Sequence, residues 1–138
     1  MKKKITVAIA GLGSRGKDTY AKAAKLFADR MEIVAVADIV PEKVREAAKE
    51  YGIPEDRCFD SAESLLREKR LADVLFICTM DRQHYGHAVP ALKKGYHLLL
   101  EKPVSPVLAE CLEIEETAKK YGRHVEVCHV LRYTPFYQ

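Results

Sequence analysis

Apolar residues in this chain gather in short runs, and the stretches between the runs show helical spacing. The runs are rich in β-branched and small apolar residues, which is typical of buried strands. We predict strands at residues 4–10, 32–38, 57–59, 73–79, 96–100 and 124–128. Because the runs do not alternate with polar residues, both faces of each strand are predicted to be covered by helices.

Helices are predicted in the segments between these strands. The pattern places one directly after the first strand and others at residues 42–51, 61–69, 83–94 and 107–121. Ser14 is predicted to cap the first helix. The inner face of that helix is predicted to consist of Tyr20, Ala23, Ala24 and Phe27. Alternating strands and helices along the whole chain predict an α/β domain of the Rossmann type, with a doubly wound, mainly parallel sheet.

Three glycines follow the first strand in the segment Gly11-Leu12-Gly13-Ser14-Arg15-Gly16. Their spacing fits the G-x-G-x-x-G pattern of dinucleotide-binding units. Gly11 would permit a tight turn, Gly13 the approach of a pyrophosphate, and Gly16 close packing of the helix on its strand. The free N–H groups at the helix start would then bind the phosphates. The same spacing also occurs in simple strand-to-helix turns, so the neighbouring residues are needed to distinguish such a turn from a dinucleotide site.

Asp38 supports the dinucleotide interpretation. It ends the second strand, about twenty residues after Gly16, where a carboxylate accepts both hydroxyls of an adenosine ribose and repels a 2′-phosphate. The residue therefore favours NAD as the cofactor over NADP, although Arg15 near the pyrophosphate is compatible with either. The alternative interpretation is an aspartate that merely starts the next helix.

Further polar residues follow the later strands. Thr79, Met80 and Asp81 come after the fourth strand, and Glu101, Lys102 and Pro103 come after the fifth. Ligands bind at the carboxyl ends of the strands in open parallel sheets. Lys102, held next to a proline, is a candidate acid or base, and Glu101 could orient it through a charge-assisted hydrogen bond. A surface lysine and a capping carboxylate are the alternatives.

The histidines complete the list of candidate residues. His84 lies close to residues 79–81 and is predicted to line the cofactor or substrate cleft, whereas His87, His97 and His124 are predicted to face solvent or sheet edges. His84 and His87 are spaced like a metal-binding pair. No carboxylate or cysteine completes the set, so no metal site is predicted.

Composition excludes several classes of protein. The 138 residues are enough for one domain, and 23 basic against 20 acidic residues give a net charge of +3, which does not indicate nucleic-acid binding. No run reaches the roughly 18 apolar residues of a membrane span. The four cysteines form no C-x-x-C pair, so we predict reduced thiols and a cytoplasmic location.

The chain resembles the nucleotide-binding domain of the glucose–fructose oxidoreductase, inositol dehydrogenase and rhizopine-catabolism (Gfo/Idh/MocA) family. The resemblance rests on the glycine segment, on Asp38, on residues 79–84 followed by 91–97, and on Glu101-Lys102-Pro103. Residues 129–135 also resemble the family's crossing into a second domain. We therefore assign residues 1–130 to an NAD(P)-binding domain and residues 131–138 to the start of that crossing.

The resemblance implies hydride transfer between nicotinamide C4 and a carbinol or carbonyl carbon of a sugar, cyclitol or related polyol. It implies that Lys102 hydrogen-bonds the reacting hydroxyl and the nicotinamide ribose and takes part in proton transfer. It also implies that the Lys102–Pro103 bond is cis. It also implies cofactor contacts from the glycine segment and from the later loops. Those loop contacts are assigned to Thr79, Met80, Asp81, His84, Glu101, Lys102 and Pro103. One departure is that Thr79-Met80-Asp81 replaces the family's Thr-Pro-Asn loop.

The chain ends at Gln138, where the family continues into a substrate domain. In the family, that domain supplies the substrate pocket, a partner histidine and usually the oligomer interface. The chain is therefore predicted to be either a truncated fragment or a natural lone cofactor domain. Its abrupt end favours a fragment that is inactive alone and that belongs, at full length, to a homo-oligomer. The alternatives are a non-catalytic NAD(P)-sensing module, which would not need Lys102, and a domain that binds another adenine ligand such as CoA.

Overall fold

The computed structural model describes residues 3–137, which form a parallel sheet with helices on both faces. The strands are β1 (Ile5–Ala10), β2 (Met31–Ala37), β3 (Cys58–Phe59), β4 (Val74–Ile77), β5 (His97–Leu100) and β6 (Val125–Val127). They are ordered β3-β2-β1-β4-β5-β6, and every neighbouring pair is parallel. The predicted doubly wound Rossmann fold is therefore confirmed, and the strand order reverses between β1 and β4, beside the glycine segment.

Helices connect these strands. A π-helical segment, Ser14–Ala21, continues into α1 (Lys22–Leu26), and it is followed by α2 (Pro41–Tyr51), α3 (Ala62–Arg67), α4 (His84–Lys93) and α5 (Leu108–Tyr121). Short 3₁₀ turns occupy Glu55–Arg57, Asp81–Gln83, Val130–Tyr133 and Pro135–Tyr137. The chain after β6 is thus built of 3₁₀ turns over residues 130–137.

A cluster of buried apolar side chains lies on each face of the sheet. On one face, Val7 and Ile9 of β1 pack with Ala21, Ala24 and the inner side of α2. On the other face, Leu75 and Leu98 pack with α3, α4 and α5. Because both faces of β1 and β4 are covered, the strand ends are the places where polar side chains can reach solvent.

The first helix differs from its prediction because it begins with π-helical turns. A π-turn holds more residues than an α-turn, so the residues that follow it face a different direction from the one that α-helical spacing predicts. Ala21 and Ala24 are buried, whereas Phe27 lies beyond the end of α1 and is 48% exposed. The predicted inner position of Phe27 is therefore wrong.

Candidate functional site

The glycines after β1 have three different surroundings. Gly11 adopts φ +93°, and a Cβ atom there would lie 2.5 Å from the carbonyl oxygen of Cys78. A Cβ on Gly16 would lie 1.9 Å from the oxygen of Gly11, so the helix start packs on the turn itself. A Cβ on Gly13 would meet no atom of the described chain within 4 Å. The fold therefore requires glycine at positions 11 and 16, whereas position 13 borders open space.

The helix start lies next to that open space. The Lys17 N–H donates to the Gly13 oxygen at 2.9 Å and closes the first turn. The amides that precede it are the donors that a helix start leaves without a helical acceptor. Gly13, one residue earlier than predicted, occupies the cap position, and no side chain caps the helix there. The predicted cap by Ser14 is therefore wrong, and its exposed side chain lies at the edge of the helix start.

Asp38 follows β2 and is half-buried beside the glycine segment. Its Oδ2 accepts a hydrogen bond from the Leu12 N–H at 2.6 Å, and its Oδ1 accepts one from the Val40 N–H at 2.8 Å. Each carboxylate oxygen has room for a further donor. The alternative of a purely helix-starting aspartate is incomplete, because Asp38 also holds the glycine segment and Val40 occupies the cap position of α2.

A groove of about 230 Å³ lies between the ends of β1, β2 and β4. Of the predicted site residues, Gly11, Gly13, Asp38, Thr79 and Met80 line it. Other polar and apolar residues of the lining lie outside the predicted site. They include Ile39, Val40, Lys43, Glu63, Gln83 and His87. Ile39 and Met80 are 81% and 75% exposed. A large apolar residue directly after a buried strand is the sequence signal that could also have identified Ile39.

His87 is buried in this groove. The prediction that it faces solvent or a sheet edge is therefore wrong. Its Nδ1 lies 3.0 Å from the Thr79 hydroxyl and its Nε2 lies 2.9 Å from the Glu63 carboxylate. The side chain points inward because α4 packs that face against the sheet. The hydrogen bond from His87 holds the pKa of the Glu63 carboxyl below its ordinary value.

His84 is fully buried and does not line the groove, which corrects its predicted role in the cleft. Its ring nitrogens lie 2.7 Å from the Pro103 carbonyl oxygen and 3.1 Å from the Thr79 carbonyl oxygen. The ring therefore joins the loop after β4 to the loop after β5. His84 supports the position of both loops from beneath the surface.

Glu101 is buried at the end of β5 and connects three parts of the site. It accepts hydrogen bonds from the Tyr20 hydroxyl and, at 3.2 Å, from the Lys102 N–H. The Arg15 guanidinium lies 4.0 Å away. Burial raises the pKa of Tyr20, with Cys128 and Glu101 adding to the effect, so the phenol stays protonated and remains a donor. The predicted link from Glu101 to Lys102 runs through the backbone of Lys102.

Lys102 is exposed at the same edge of the sheet, outside the lining of the groove. The Lys102–Pro103 bond is cis, as predicted. Asp81 is also exposed and lies outside the groove lining, in the 3₁₀ turn before α4. The predicted site residues thus form two groups, one in the groove near Asp38 and one around Glu101 and Lys102, and Arg15 lies within reach of the second.

Within residues 3–137, the remaining ionisable groups form no second candidate site. All four cysteines are free thiols, and burial raises the pKa of Cys78 and of Cys128. Over residues 3–137, no three His, Cys, Asp or Glu side chains are grouped so that they could hold a metal ion. Within the same range, none of the helices has both the length and the apolar character needed to cross a membrane.

Comparison with known proteins places the chain in a family. Residues 5–129 match the model of the Gfo/Idh/MocA family, described as an oxidoreductase family with an NAD-binding Rossmann fold. The chain belongs to this family, and the resemblance drawn from its sequence is confirmed.

Individual relatives differ in their named activities. The chain is 30% identical over 133 residues to inositol 2-dehydrogenase/D-chiro-inositol 3-dehydrogenase of Lactiplantibacillus plantarum, covering 95% of this chain and 37% of that protein. It is 31% identical over 126 residues to glycosyl hydrolase family 109 protein 2 of Phocaeicola vulgatus, covering 87% of this chain and 30% of that protein.

A similar solved structure is also much longer than this chain. The WlbA dehydrogenase of Bordetella pertussis, in complex with NADH and UDP-GlcNAcA, matches with a TM-score of 0.88 at 25% identity, over 99% of this chain and 40% of that one. This chain therefore spans about two fifths or less of the relatives that it matches.

Proposed function

We propose that this chain binds NAD along the carboxyl edge of its sheet and supplies Lys102 for proton transfer. The reaction is hydride transfer between nicotinamide C4 and a carbinol or carbonyl carbon of a sugar, cyclitol or related polyol. The names of the relatives support this substrate class, since they refer to inositols, a nucleotide sugar and a glycosyl group.

One observation carries the cofactor assignment. Gly13 borders open space in which a Cβ would meet no atom of the described chain within 4 Å, and the Asp38 carboxylate lines the same groove. A glycine that the fold does not need for its own packing fits a place where a ligand approaches the backbone. A carboxylate with free lone pairs fits the hydroxyls of a ribose.

Each part of the dinucleotide has a matching group of residues. The amides after Gly13 and the Arg15 guanidinium would hold the pyrophosphate, and Asp38 would hold the adenosine ribose. The exposed side chains of Ile39 and Met80 would cover the faces of the adenine ring. Asp38 favours NAD over NADP because its charge repels a 2′-phosphate.

Lys102 is the proposed proton donor or acceptor. The bound nicotinamide would accept or release the hydride, and Lys102 would hydrogen-bond the reacting hydroxyl. Over residues 3–137 its ammonium makes no hydrogen bond or ion pair, so its donors are available to a substrate. Glu101 fixes the backbone at this point by accepting from the Lys102 N–H.

The rest of the catalytic machinery is proposed to lie in a second domain. Residues 1–130 form the cofactor domain, and residues 131–138 begin the crossing to the domain that would supply the substrate pocket, a partner histidine and a homo-oligomer interface. The four free thiols support a reducing, cytoplasmic setting.

Titration of the chain with NADH and NADPH, followed by fluorescence and calorimetry, tests the cofactor assignment. We expect saturable binding of NADH and weaker binding of NADPH. If neither cofactor gives saturable binding, the proposal is wrong.

The catalytic role requires the protein encoded by the complete reading frame that contains these residues. We expect Lys102→Ala to lower turnover on a panel of polyols and sugars by about a hundredfold or more, the usual size of a lost proton-transfer group. NADH binding should weaken only about fivefold or less, as for one lost hydrogen bond to the nicotinamide ribose. Lys119→Ala, on the exposed surface of α5, serves as the control. Equal turnover by the Lys102 variant would favour the non-catalytic sensing module instead.

A further inference from the structure

Three side chains form a continuous hydrogen-bonded chain along one wall of the groove. The Thr79 hydroxyl lies 3.0 Å from Nδ1 of His87, and Nε2 of His87 lies 2.9 Å from the Glu63 carboxylate. The His87 side chain is 4% exposed and that of Glu63 is 60% exposed. All three residues line the groove, so this series of hydrogen bonds runs from solvent to the surface that a ligand would contact.

The chemistry of the three groups fixes the direction of these hydrogen bonds for a neutral His87 ring. An ionised carboxylate only accepts, so Nε2 of His87 must carry the proton that it shares with Glu63. The hydrogen bond from His87 lowers the pKa of the Glu63 carboxyl, which keeps it ionised. When the His87 ring is neutral, Nδ1 is therefore an acceptor, and the Thr79 hydroxyl donates to it.

We propose that Glu63 and His87 make the Thr79 hydroxyl donate its proton to Nδ1 of His87, so that Oγ1 of Thr79 presents only lone pairs to the ligand in the groove. This inference rests on the proposed function and names His87 as a positioning residue of the cofactor site. The complementary ligand group is a hydroxyl donor of a ribose in the dinucleotide.

The position of Thr79 explains why the sense of its hydroxyl matters. Thr79 and Asp38 line the same groove, and Asp38 offers carboxylate oxygens that can only accept. With Thr79 also restricted to accepting, the wall is complementary to hydroxyl groups and unfavourable to a phosphate. A hydroxyl free to rotate would donate to a phosphate oxygen, so the fixed sense adds to the discrimination against NADPH.

A double-mutant cycle on NADH affinity tests whether His87 acts through Thr79. Thr79→Val keeps the shape without the hydroxyl and is expected to weaken NADH binding about five- to tenfold, as for one lost hydrogen bond. His87→Leu is expected to weaken it about threefold in the wild-type background and to have no further effect in the Thr79→Val background. His124→Gln, an exposed histidine at the opposite edge of the sheet, is the control.

Glu63 provides a variant that does not alter the interior. Glu63→Gln retains an oxygen that accepts from Nε2 and should bind NADH within about twofold of wild type, whereas Glu63→Ala should weaken binding. In parallel, ¹⁵N NMR of the ligand-free chain reads the protonation of each ring nitrogen. We expect a proton on Nε2 of His87 and none on Nδ1, both in the wild type and in Glu63→Gln.

The outcomes separate this inference from the proposed function. Failure of the wild-type chain to bind NADH would overturn the proposed function, and the ring state measured by NMR would still test the hydrogen-bond direction. If NADH binds but Thr79→Val binds as well as wild type, or if the effects of the Thr79 and His87 substitutions simply add, the positioning role is wrong. A proton on Nδ1 would also overturn it.

Discussion

The Asp38 carboxylate accepts a hydrogen bond from the Leu12 N–H at 2.6 Å. This bond links the end of β2 to the middle of the glycine segment before any ligand arrives. The second carboxylate oxygen accepts from Val40 and holds the turn that starts α2. Asp38 is thus a structural residue of the loop as well as the proposed ribose ligand, and the two roles can be separated by substitution.

Asp38→Asn and Asp38→Ala should differ in a defined way. Asparagine keeps an oxygen that can accept from Leu12, so the loop should remain in place, but it loses the charge. We expect Asp38→Asn to weaken NADH binding about tenfold and to reduce the preference over NADPH, because charge-assisted hydrogen bonds to the ribose are lost.

Asp38→Ala should also lower the free energy of unfolding by about 1–2 kcal/mol, since the Leu12 and Val40 donors lose their acceptor. Calorimetric titration and urea denaturation measure the two effects, with Asp56→Ala on the exposed 3₁₀ turn as the control. Unchanged selectivity between NADH and NADPH in Asp38→Asn would contradict the ribose assignment.

Gly13→Ala should separate binding from stability. The backbone at Gly13 is extended, with φ −76°, and an added Cβ meets no protein atom, so the free energy of unfolding should change by less than about 0.5 kcal/mol. NADH binding should fall about tenfold or more, because the Cβ occupies the space proposed for the pyrophosphate. Undiminished NADH affinity would mean that the open space is not the ligand path.

Two other glycines provide matched controls for this experiment. Gly16→Ala places a Cβ against the Gly11 oxygen and should lower the free energy of unfolding by about 1–3 kcal/mol or more. Gly86→Ala lies at an exposed position within α4, where alanine should raise it by about 0.5–1 kcal/mol. Denaturation curves of the three variants thus rank the glycines by structural need.

Local sequence patterns were sufficient to predict the elements and the edge of the sheet at which the site lies. Continuous apolar runs identify buried strands because both faces are covered, and parallel strands bring their carboxyl ends together. Gly13 and Asp38 lie on one groove, as these rules predict. Lys102 lies at the same edge of the sheet but outside the groove lining.

The histidines show where such reasoning fails. His84 and His87 both lie on the inner face of α4, and a sequence pattern does not reveal which buried polar side chains find partners there. His87 reaches Glu63 on α3, and His84 reaches Pro103 in the loop after β5. These contacts depend on the packing of distant elements. The π-helical start of the first helix is likewise invisible to a pattern with a 3.6-residue period.

Tyr20→Phe should destabilise the chain by removing a donor from a buried carboxylate. Glu101 accepts a hydrogen bond from the Tyr20 hydroxyl and is 7% exposed. Loss of the Tyr20 hydroxyl should therefore lower the free energy of unfolding by about 1–3 kcal/mol. Tyr85→Phe is the matched control because the Tyr85 hydroxyl donates to the exposed Glu113, where water replaces it, and should cost less than about 0.5 kcal/mol. Equal effects in urea denaturation would show that Glu101 does not depend on Tyr20.

Asp73 should make the stability of the sheet depend on pH. Its carboxylate accepts from the Thr6 N–H at 3.0 Å and from the Thr6 hydroxyl at 2.9 Å, and these bonds hold the pKa of Asp73 below its ordinary value of 3.8. A lowered pKa in the folded state means that the contribution is fully present above the unfolded-state pKa and is lost as the pH falls through the folded-state value. We expect Asp73→Asn to lower the free energy of unfolding by about 1 kcal/mol at neutral pH, with the difference from wild type shrinking below about pH 4.

Denaturation series at several pH values measure this dependence of the free energy of unfolding on pH. Asp29→Asn, in an exposed pair with Arg30, should show no comparable difference. A gap between wild type and Asp73→Asn that widened as the pH fell would reverse the assigned sign.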